Sequence, residues 1–329
     1  MEEIKTFNKV IQIDRSKVNP IIEAGLKNGR MISTKDMDKE LWLQIRNVLG
    51  LGGSEAAVAL GISEYKSAYQ LWKEKVSDEV EMIDNKFTEW GTGLEPFLRE
   101  QYIKLTGREV VEDHKIRIHP KHDCLFVNLD GVVVEKKKEE GMIEIKSTVG
   151  VVYKSWSNNP DECPQGIPLI HYSQIQHELS ITGFDWCDLV VGIIDRREIE
   201  VKRIERDDKY IKLQDKALVG WWNAYVVKNV PPPKTVAEFA YADPIPESSV
   251  EATKDILDLH NAILVKTEKF NKMKKDLDAW KDEMKLYIGE NEGLTYNGDL
   301  IATYKRVEKK EYLVPAQSYR VLRVKKPKS

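Results

Sequence analysis

Residues 126–147 read FVNLDGVVVEKKKEEGMIEIKS, the segment of the chain with the clearest strand pattern. Apolar residues lie on both sides of a charged segment from Glu135 to Gly141. The apolar run before that segment and the alternating residues after it are each typical of a β-strand. We therefore predict two neighbouring strands joined by a charged turn.

Three charged side chains on this hairpin form the first candidate site. Glu144 and Lys146 are two residues apart on the second strand and project from the same face, whereas Ile143 and Ile145 point into a core. Asp130 belongs to the neighbouring strand or its end, near that face. Two carboxylates beside a lysine offer hard oxygen ligands for Mg²⁺ or Mn²⁺, with an ammonium next to them. The alternative is a solvated strand face, which is the commoner use of such charges.

The composition is that of a globular protein without a strongly charged surface. The chain has 329 residues, enough for a sizeable core and a second small domain. Its 51 Lys and Arg against 54 Asp and Glu give a net charge of −3, so a nucleic-acid surface must be local. The chain has no run of eighteen apolar residues, so no membrane span is predicted. The absence of a secretory signal and three scattered cysteines favour a reduced, cytoplasmic compartment.

A glycine-rich turn, Gly50–Ser54, separates two predicted helices. The first helix covers residues 35–48 and carries Arg46 near its end. Ser54 suits the N-cap of the second helix, whose exposed amides favour an anion. Because a guanidinium pairs bidentately with phosphate, Arg46 beside this helix start predicts a phosphate pocket, and Lys66 could also face it. The alternatives are a plain helical joint packed through its glycines and, for Lys66, a solvated loop.

One carboxylate stands within the apolar pattern of residues 86–105, which predicts a helix. Pro96 follows Glu95, and because proline is tolerated in a first helical turn, the helix could start as late as Gly93. Glu95 is costly in apolar surroundings unless it is paired or binds a metal ion. The alternative is a glutamate stabilised by the dipole at a helix N-terminus.

The order of the remaining elements predicts an α/β or α+β core with a mixed sheet flanked by helices. After the hairpin come a long loop at 148–168, an amphipathic helix at 168–183 and an apolar strand at 186–194. Prolines at 231–233 mark a predicted boundary, so the first domain comprises residues 1–230.

The C-terminal extension, residues 231–329, has a different pattern. Apolar residues recur at three- and four-residue steps over residues 250–289, which predicts one long helix packed against another helix. DNA contact through its lysines is the alternative. Asn297–Gly298 is typical of a β-hairpin turn, and a last strand is predicted at 319–324.

Four of these side chains form an E…D…ExK pattern: Glu95, Asp130, Glu144 and Lys146. This pattern resembles the catalytic core of the PD-(D/E)XK nuclease superfamily. The flanking blocks occur in the order found in the YqaJ-like phage recombination exonucleases, which are relatives of the phage lambda exonuclease. The resemblance covers about residues 40–225. The blocks are GLGGSEAAVALGISEYKS, WGTGLEP, NLDG, IEIKS and PLIHYSQIQ.

The resemblance implies a role for each position of the core. Asp130, Glu144 and the main-chain carbonyl of Ile145 would ligate Mg²⁺, for which Mn²⁺ can substitute. Glu95 would complete a metal site directly or through water. Lys146 would orient and help deprotonate the attacking water.

Further roles are implied outside the core. Gln174 would lie beside the lysine as a supporting active-site residue, with Tyr172 nearby. The family often has a serine shortly before the catalytic aspartate, where this chain has Asn128. The implied contacts to DNA and its terminal 5′ phosphate are Arg46, Ser54, Lys66, Asn128 and Tyr172.

The activity implied by the resemblance is a Mg²⁺-dependent 5′→3′ exonuclease that acts on linear double-stranded DNA. It would leave 3′ single-stranded overhangs for homologous recombination by strand annealing. Relatives imply a ring of subunits around DNA, a single-strand annealing protein as partner, and a phage or prophage protein in the cytoplasm of a bacterial host. The alternatives are another PD-(D/E)XK endonuclease or resolvase, and a catalytically inactive DNA-binding or assembly protein.

Overall fold

The computed structural model describes residues 7–84, 86–136, 138–156, 163–235 and 249–306, and the chain separates into two compact units, Met1–Pro233 and Lys234–Ser329. The helices are α1 (Arg15–Lys27), α2 (Lys39–Leu49), α3 (Gly53–Ala59), α4 (Ala68–Val76), α5 (Lys86–Thr106), α6 (Gly150–Ser155), α7 (Leu169–Thr182), α8 (Asp208–Trp221) and α9 (Lys254–Ile288). The strands are β1 (Phe7–Gln12), β2 (Met31–Ser33), β3 (Glu79–Asp84), β4 (Glu109–Val111), β5 (Lys115–Ile118), β6 (Phe126–Val127), β7 (Gly131–Glu135), β8 (Lys138–Thr148), β9 (Trp186–Ile193), β10 (Glu198–Glu205), β11 (Gly293–Tyr296) and β12 (Asp299–Thr303).

A five-stranded mixed sheet forms the centre of the first unit, in the order β10-β9-β8-β7-β4. β8 and β9 run parallel, and the other neighbours run antiparallel. Parallel neighbours need a crossover connection, which here contains α6 and α7. The predicted α/β architecture with a mixed sheet is confirmed.

The predicted hairpin is present as β7 and β8, and its register positions two of the candidate site residues. Gly131 pairs with Ile143, so Asp130, one residue before, meets Glu144, one residue after. The connection is shorter than predicted, because β8 already begins at Lys138. Charged residues assigned to the turn therefore extend the solvent-exposed end of the strand.

Helices cover both faces of the sheet, which explains why its central strands are apolar on both faces. On one face, α5 and the strands share a core cluster of Leu98, Tyr102, Val133, Ile143, Ile145 and Val190. On the other face, α7 joins a larger cluster that includes Met142, Ile175, Leu179, Leu189 and Val191. The near-continuous apolar run of β9 follows from this burial on both sides.

A buried aspartate fixes α5 to the sheet. Asp188 on β9 is 1% exposed and accepts hydrogen bonds from Tyr102 Oη (2.7 Å) and Arg108 Nη1 (2.7 Å). Burial and the bond to Asp188 raise the pKa of Tyr102 to about 12, so its hydroxyl remains a donor at neutral pH. This anchoring fixes the position of Glu95, which lies two turns earlier on the same helix.

Two predicted segments differ in the structure. The suggestion that the helix starts near Gly93 is wrong, because α5 contains Pro96 in its interior. Pro96 is on the exposed side of the helix, where water can reach the carbonyl that loses its partner. The predicted loop at 148–168 contains α6 and a 3₁₀ turn at Pro164–Gly166. Residues 157–162, like the predicted strand at 319–324, lie outside the described residues.

The described part of the second unit contains α9 and the hairpin of β11 and β12. The Thr253 side chain caps α9 by accepting from the Ile256 amide, and Asn297 and Gly298 form the hairpin turn with φ values of 51° and 89°. The predicted long helix and hairpin are confirmed. The packing of that helix against another helix stays a prediction. Of the helices described here, none has the length and apolar character needed to cross a membrane.

A close backbone approach at Gly50 brings the glycine-rich turn against β6. The Leu51 amide donates to Cys124 O (2.8 Å), and the Phe126 amide donates to Leu51 O (3.0 Å). A methyl group at Gly50 would lie 2.0 Å from Cys124 O, so only glycine fits. The start of α3 is thereby held beside the strand that leads to Asp130.

We predict that Gly50→Ala lowers the free energy of unfolding by about 3 kcal/mol or more, because backbone atoms on both sides must move. The matched control is Gly220→Ala on α8, where a methyl group would have no atom within 4 Å. We expect that control to be stabilised by about 0.5–1 kcal/mol, the usual gain from a helical Gly→Ala change. Urea unfolding measures both variants, and equal stability of the two would contradict the described turn.

Candidate active site

The centre of the candidate site is a pair of carboxylates at the hairpin. Asp130 lies in the connection between β6 and β7, and its Oδ2 accepts a hydrogen bond from the Ile145 amide (2.8 Å). Glu144 on β8 is 3% exposed. Glu144 and Ile145 are consecutive, so the Asp130 carboxylate lies directly beside the backbone that carries Glu144.

Lys146 and Gln174 connect to this pair through one hydrogen-bond network. Lys146 Nζ lies 2.6 Å from Glu144 Oε1 and donates to Gln174 Oε1 (3.1 Å). Gln174 Nε2 in turn donates to Glu144 Oε1 (2.6 Å). These hydrogen bonds join Glu144 and Lys146 on β8 to Gln174 on the crossover helix α7, although about thirty residues separate them in the sequence.

Glu95 approaches the same cluster from α5. Burial, followed by the charge of Glu144, raises the pKa of Glu95 above its usual value, while Arg99 and Lys146 act in the opposite direction. The side chain therefore shares an electrostatic environment with the hairpin residues. The four members of the E…D…ExK pattern come from three separate elements and converge on one region of the first unit.

Two residues at this site were missed by the sequence analysis. Glu178, one turn after Gln174 on α7, is 1% exposed, and its Oε1 accepts from Gln174 Nε2 (3.0 Å). His171, about one turn before Gln174, is partly buried. Burial and the nearby Lys146 lower the pKa of His171 to about 4, so it is neutral at pH 7. A helical wheel of α7 places 171, 174 and 178 on one face, which was the available signal.

The electrostatics of the cluster reflect burial first and repulsion between carboxylates second. Burial and then the charge of Glu144 raise the pKa of Asp130 well above its usual value. The same two causes raise the pKa of Glu178. Burial alone would lower the pKa of Lys146, but Glu144 and Asp130 raise it above the usual value. Lys146 is therefore an ammonium, and it faces more acidic groups than it can neutralise.

The donor set fits a hard divalent cation. Asp130, Glu144, Glu95 and Glu178 offer carboxylate oxygens, and Glu178 Oε2 is buried without a hydrogen-bond partner among the described residues. Buried carboxylates held this close together need a compensating positive charge. In the described conformation, no three His, Cys, Asp or Glu side chains of the described residues are arranged to hold a metal ion.

A second group of charged side chains lies beside the glycine-rich turn. The Arg46 guanidinium lies over the rings of Trp42 (4.4 Å) and Phe126 (5.6 Å), measured from Cζ to each ring centroid. Glu55 Oε2 accepts from the Gly52 amide (2.8 Å) and lies 2.9 Å from Lys75 Nζ. Two cations, Arg46 and Lys75, therefore act on the Glu55 carboxylate beside the turn.

Ser54 does not have the predicted capping role. The N-cap of α3 is Gly52, whose amide is satisfied by the Glu55 side chain. Ser54 lies one residue inside the helix and is exposed. The glycine run allows the helix to be capped two residues earlier than predicted, so a serine cap is not needed.

Arg46 and Lys66 line the same cleft, whose volume is about 750 Å³. Lys73 and Lys75 also line it, as does Tyr65, whereas Ser54 is not among its described lining residues. Lys66 Nζ pairs with Glu74 Oε2 at 2.6 Å. Four glutamates line the cleft as well, so its charges are balanced, with Arg46 near the glycine turn and Lys66 on a loop.

Two predicted DNA contacts have structural partners instead. The Tyr172 hydroxyl donates to Asp207 Oδ2 (3.0 Å) at the start of α8, and this side chain is buried. Residues two apart on a helix point about 200° apart, so Tyr172 faces away from the side of α7 that carries Gln174. Asn128 Nδ2 donates to Lys115 O (3.0 Å) and holds β6 against β5. The interpretation of Tyr172 as a DNA contact is therefore corrected.

Comparison with known proteins relates part of this chain to a described domain family. Residues 41–185 match the model of the YqaJ-like viral recombinase domain, so the resemblance predicted from the sequence is confirmed. The chain is also 27% identical over 199 residues to the uncharacterized protein YqaJ of Bacillus subtilis (strain 168), covering 60% of this chain and 59% of that protein. This chain therefore spans about three fifths of the relative's length.

Solved structures with detectable similarity include two exonucleases. An alkaline exonuclease (LHK-Exo) from Laribacter hongkongensis is 25% identical, with a TM-score of 0.47 over 58% of this chain and 94% of the other. A phage related exonuclease from Haemophilus somnus 129PT is 14% identical, with a TM-score of 0.35 over 67% of this chain and 97% of the other.

We predict that Asp130→Asn raises the free energy of unfolding at pH 7 when divalent metals are removed. The amide keeps an oxygen for the Ile145 N–H and removes a buried charge beside Glu144, so we expect a gain of about 1–3 kcal/mol. Because the folded protein raises the pKa of Asp130, its ionisation destabilises the wild-type fold. The gain therefore grows as pH rises and disappears as pH falls to about 4.

Urea denaturation across pH measures this effect, with Glu198→Gln, an exposed carboxylate on β10, as the control. Millimolar Mg²⁺ is expected to stabilise the wild-type protein more than the Asp130→Asn variant, because it supplies the missing positive charge. A variant that is less stable than wild type at every pH would contradict the repulsion described here.

Proposed function

We propose that this protein is a Mg²⁺-dependent 5′→3′ exonuclease that digests linear double-stranded DNA and leaves 3′ single-stranded overhangs. The observation that carries the proposal is the position of the half-buried Asp130, held by the Ile145 amide beside the buried Glu144 and the Lys146 ammonium, inside the segment that matches a recombinase domain. Hard carboxylate ligands with an adjacent ammonium suit hydrolysis of a phosphodiester.

Each side chain of the cluster has a part in this chemistry. Asp130, Glu144 and the Ile145 carbonyl would hold the metal, with Glu95 completing the site. Bound Mg²⁺ ions supply charge neutralisation at the attacking and leaving oxygens. Lys146, an ammonium because of its acidic neighbours, orients the attacking water and stabilises negative charge on the phosphate. Gln174 holds that ammonium by accepting a hydrogen bond from Nζ.

The polarity of digestion is proposed to come from the cleft that Arg46 and Lys66 line. Arg46 would bind the terminal 5′ phosphate, with Lys66 and the exposed Ser54 as further contacts to the DNA end. Phosphate contacts position DNA without reading its bases, so digestion would be independent of sequence. The strand whose 5′ end is held in the cleft is then the strand that is degraded.

The proposal extends to the cellular role. The 3′ strand left by the enzyme would be taken up by a single-strand annealing protein for recombination, in the cytoplasm of a bacterial host that carries the phage or prophage. Several subunits in a ring around DNA would keep the enzyme on its substrate. We also propose that residues 1–230 form the nuclease domain and that residues 231–329 are an extension of it.

An end-label experiment tests the activity. With Mg²⁺, a 5′ label on linear duplex is expected in mononucleotides at the earliest times, whereas a 3′ label stays in long products. Lys146→Ala should slow digestion by about 100-fold or more, because charge stabilisation at the phosphate is lost. Rapid cleavage of covalently closed circles would instead indicate an endonuclease or resolvase, and unchanged digestion by the variant would refute the site.

A second experiment tests the anchor for the DNA end. Arg46→Ala should slow digestion of 5′-phosphorylated duplex by about 10–100-fold, the usual loss for one hydrogen-bonded charge, and should have little effect on 5′-hydroxyl ends. Lys17→Ala, which removes an exposed cation from α1, is the control. Equal rates on phosphorylated and hydroxyl ends for the unmodified protein would remove the anchor from the proposal.

A further inference from the structure

Glu178 is the one member of the acidic cluster that no sequence pattern assigned. It lies on α7, one turn after Gln174, and is almost completely buried. Burial beside Glu144 and Asp130 opposes its ionised form. A carboxylate in such a position costs free energy, so its presence calls for an explanation beyond packing.

The hydrogen bonds of the Gln174 amide supply that explanation. A primary amide has two N–H donors on one side and one carbonyl acceptor on the other. Gln174 Nε2 donates to both Glu144 Oε1 and Glu178 Oε1, at 2.6 Å and 3.0 Å, while Gln174 Oε1 accepts from Lys146 Nζ at 3.1 Å. A flipped amide would place its oxygen against two carboxylates and its N–H₂ against an ammonium. Hydrogen bonds at both its nitrogen and its oxygen therefore fix the orientation of the Gln174 amide.

The glycine-rich turn provides the space for this arrangement. A methyl group at Gly53 would lie 2.7 Å from Glu178 Oε1 and 3.4 Å from Gln174 Cγ. The first turn of α3 thus packs directly on the two side chains of α7. This contact gives Gly53 a role beyond the helix joint, because any larger residue pushes on the oxygen that receives the amide proton.

We propose that Glu178 is a positioning residue that holds the Gln174 amide, and through it the Lys146 ammonium, in a fixed relation to Glu144. The inference rests on the proposed function for its kinetic consequence. Glu178 acts as an acceptor, so a neutral side chain with an oxygen in the same place preserves its action. A side chain of similar size without an acceptor frees the amide to rotate.

The kinetic test is a double-mutant cycle with Mg²⁺ and linear duplex DNA. Glu178→Leu should lower kcat by about 10–100-fold with little change in KM, because a misplaced group affects the chemical step. Glu178→Gln should keep at least about a third of kcat, since the acceptor remains. In a Gln174→Ala background, Glu178→Leu should have less than about a twofold further effect. Equal losses in both backgrounds, or equal losses from both Glu178 variants, would overturn the inference.

A spectroscopic test needs no activity. Nuclear magnetic resonance of the metal-free protein measures how fast the two Gln174 side-chain N–H protons exchange with water. We expect slow exchange in the wild-type protein and in Glu178→Gln, and faster exchange in Glu178→Leu. The Gln174→Ala variant assigns the signals, and Glu198→Leu on β10 is the control. Wild-type protein that leaves DNA intact would refute the proposed function alone. Gln174 protons that are unchanged in Glu178→Leu would refute this inference alone.

Folding is checked by thermal unfolding of each variant. Where Glu178→Leu does not fold, Gly53→Ala replaces it, because the added methyl group displaces Glu178 Oε1 while the carboxylate itself is retained. The loss of kcat caused by Gly53→Ala should then be non-additive with that of Gln174→Ala. The Gln174 side-chain protons should also exchange faster in Gly53→Ala than in the wild-type protein. Additive losses or unchanged exchange would again overturn the inference.

Discussion

The hydrogen bond from the Ile145 amide to Asp130 Oδ2 is the contact on which the candidate site depends. It fixes the aspartate against the backbone between Glu144 and Lys146. The antiparallel register of the hairpin brings the two carboxylates together, and the parallel pairing of β8 with β9 requires the crossover that contains α7. The pairing of β7, β8 and β9 thus brings residues that are distant in the sequence together at the candidate site.

The site is held together against its own electrostatic repulsion. Its carboxylates are buried or partly buried, and their mutual repulsion raises the pKa of Asp130 and of Glu178 after the effect of burial. One lysine pairs with Glu144 but cannot neutralise the whole group. The apolar clusters on both faces of the sheet supply the stability that keeps this arrangement folded.

Periodicity explains what the sequence predicted and what it did not. The two-residue period of a strand placed Glu144 and Lys146 on one face, and both share the hydrogen-bond network in the structure. Helix α7 is buried on nearly all sides, so its apolar pattern did not distinguish the face of Gln174 and Glu178 from that of Tyr172. The position of the helix cap in the glycine turn depended on a side-chain contact that local propensity does not encode.

A crystal grown with Mn²⁺ and measured at the manganese absorption edge tests whether Asp130 and Glu144 hold a metal ion. We expect an anomalous peak within about 2.5 Å of carboxylate oxygens from both residues, with the Ile145 carbonyl as a further ligand. No peak at this position, or a manganese ion bound elsewhere while these carboxylates keep only protein partners, would contradict it.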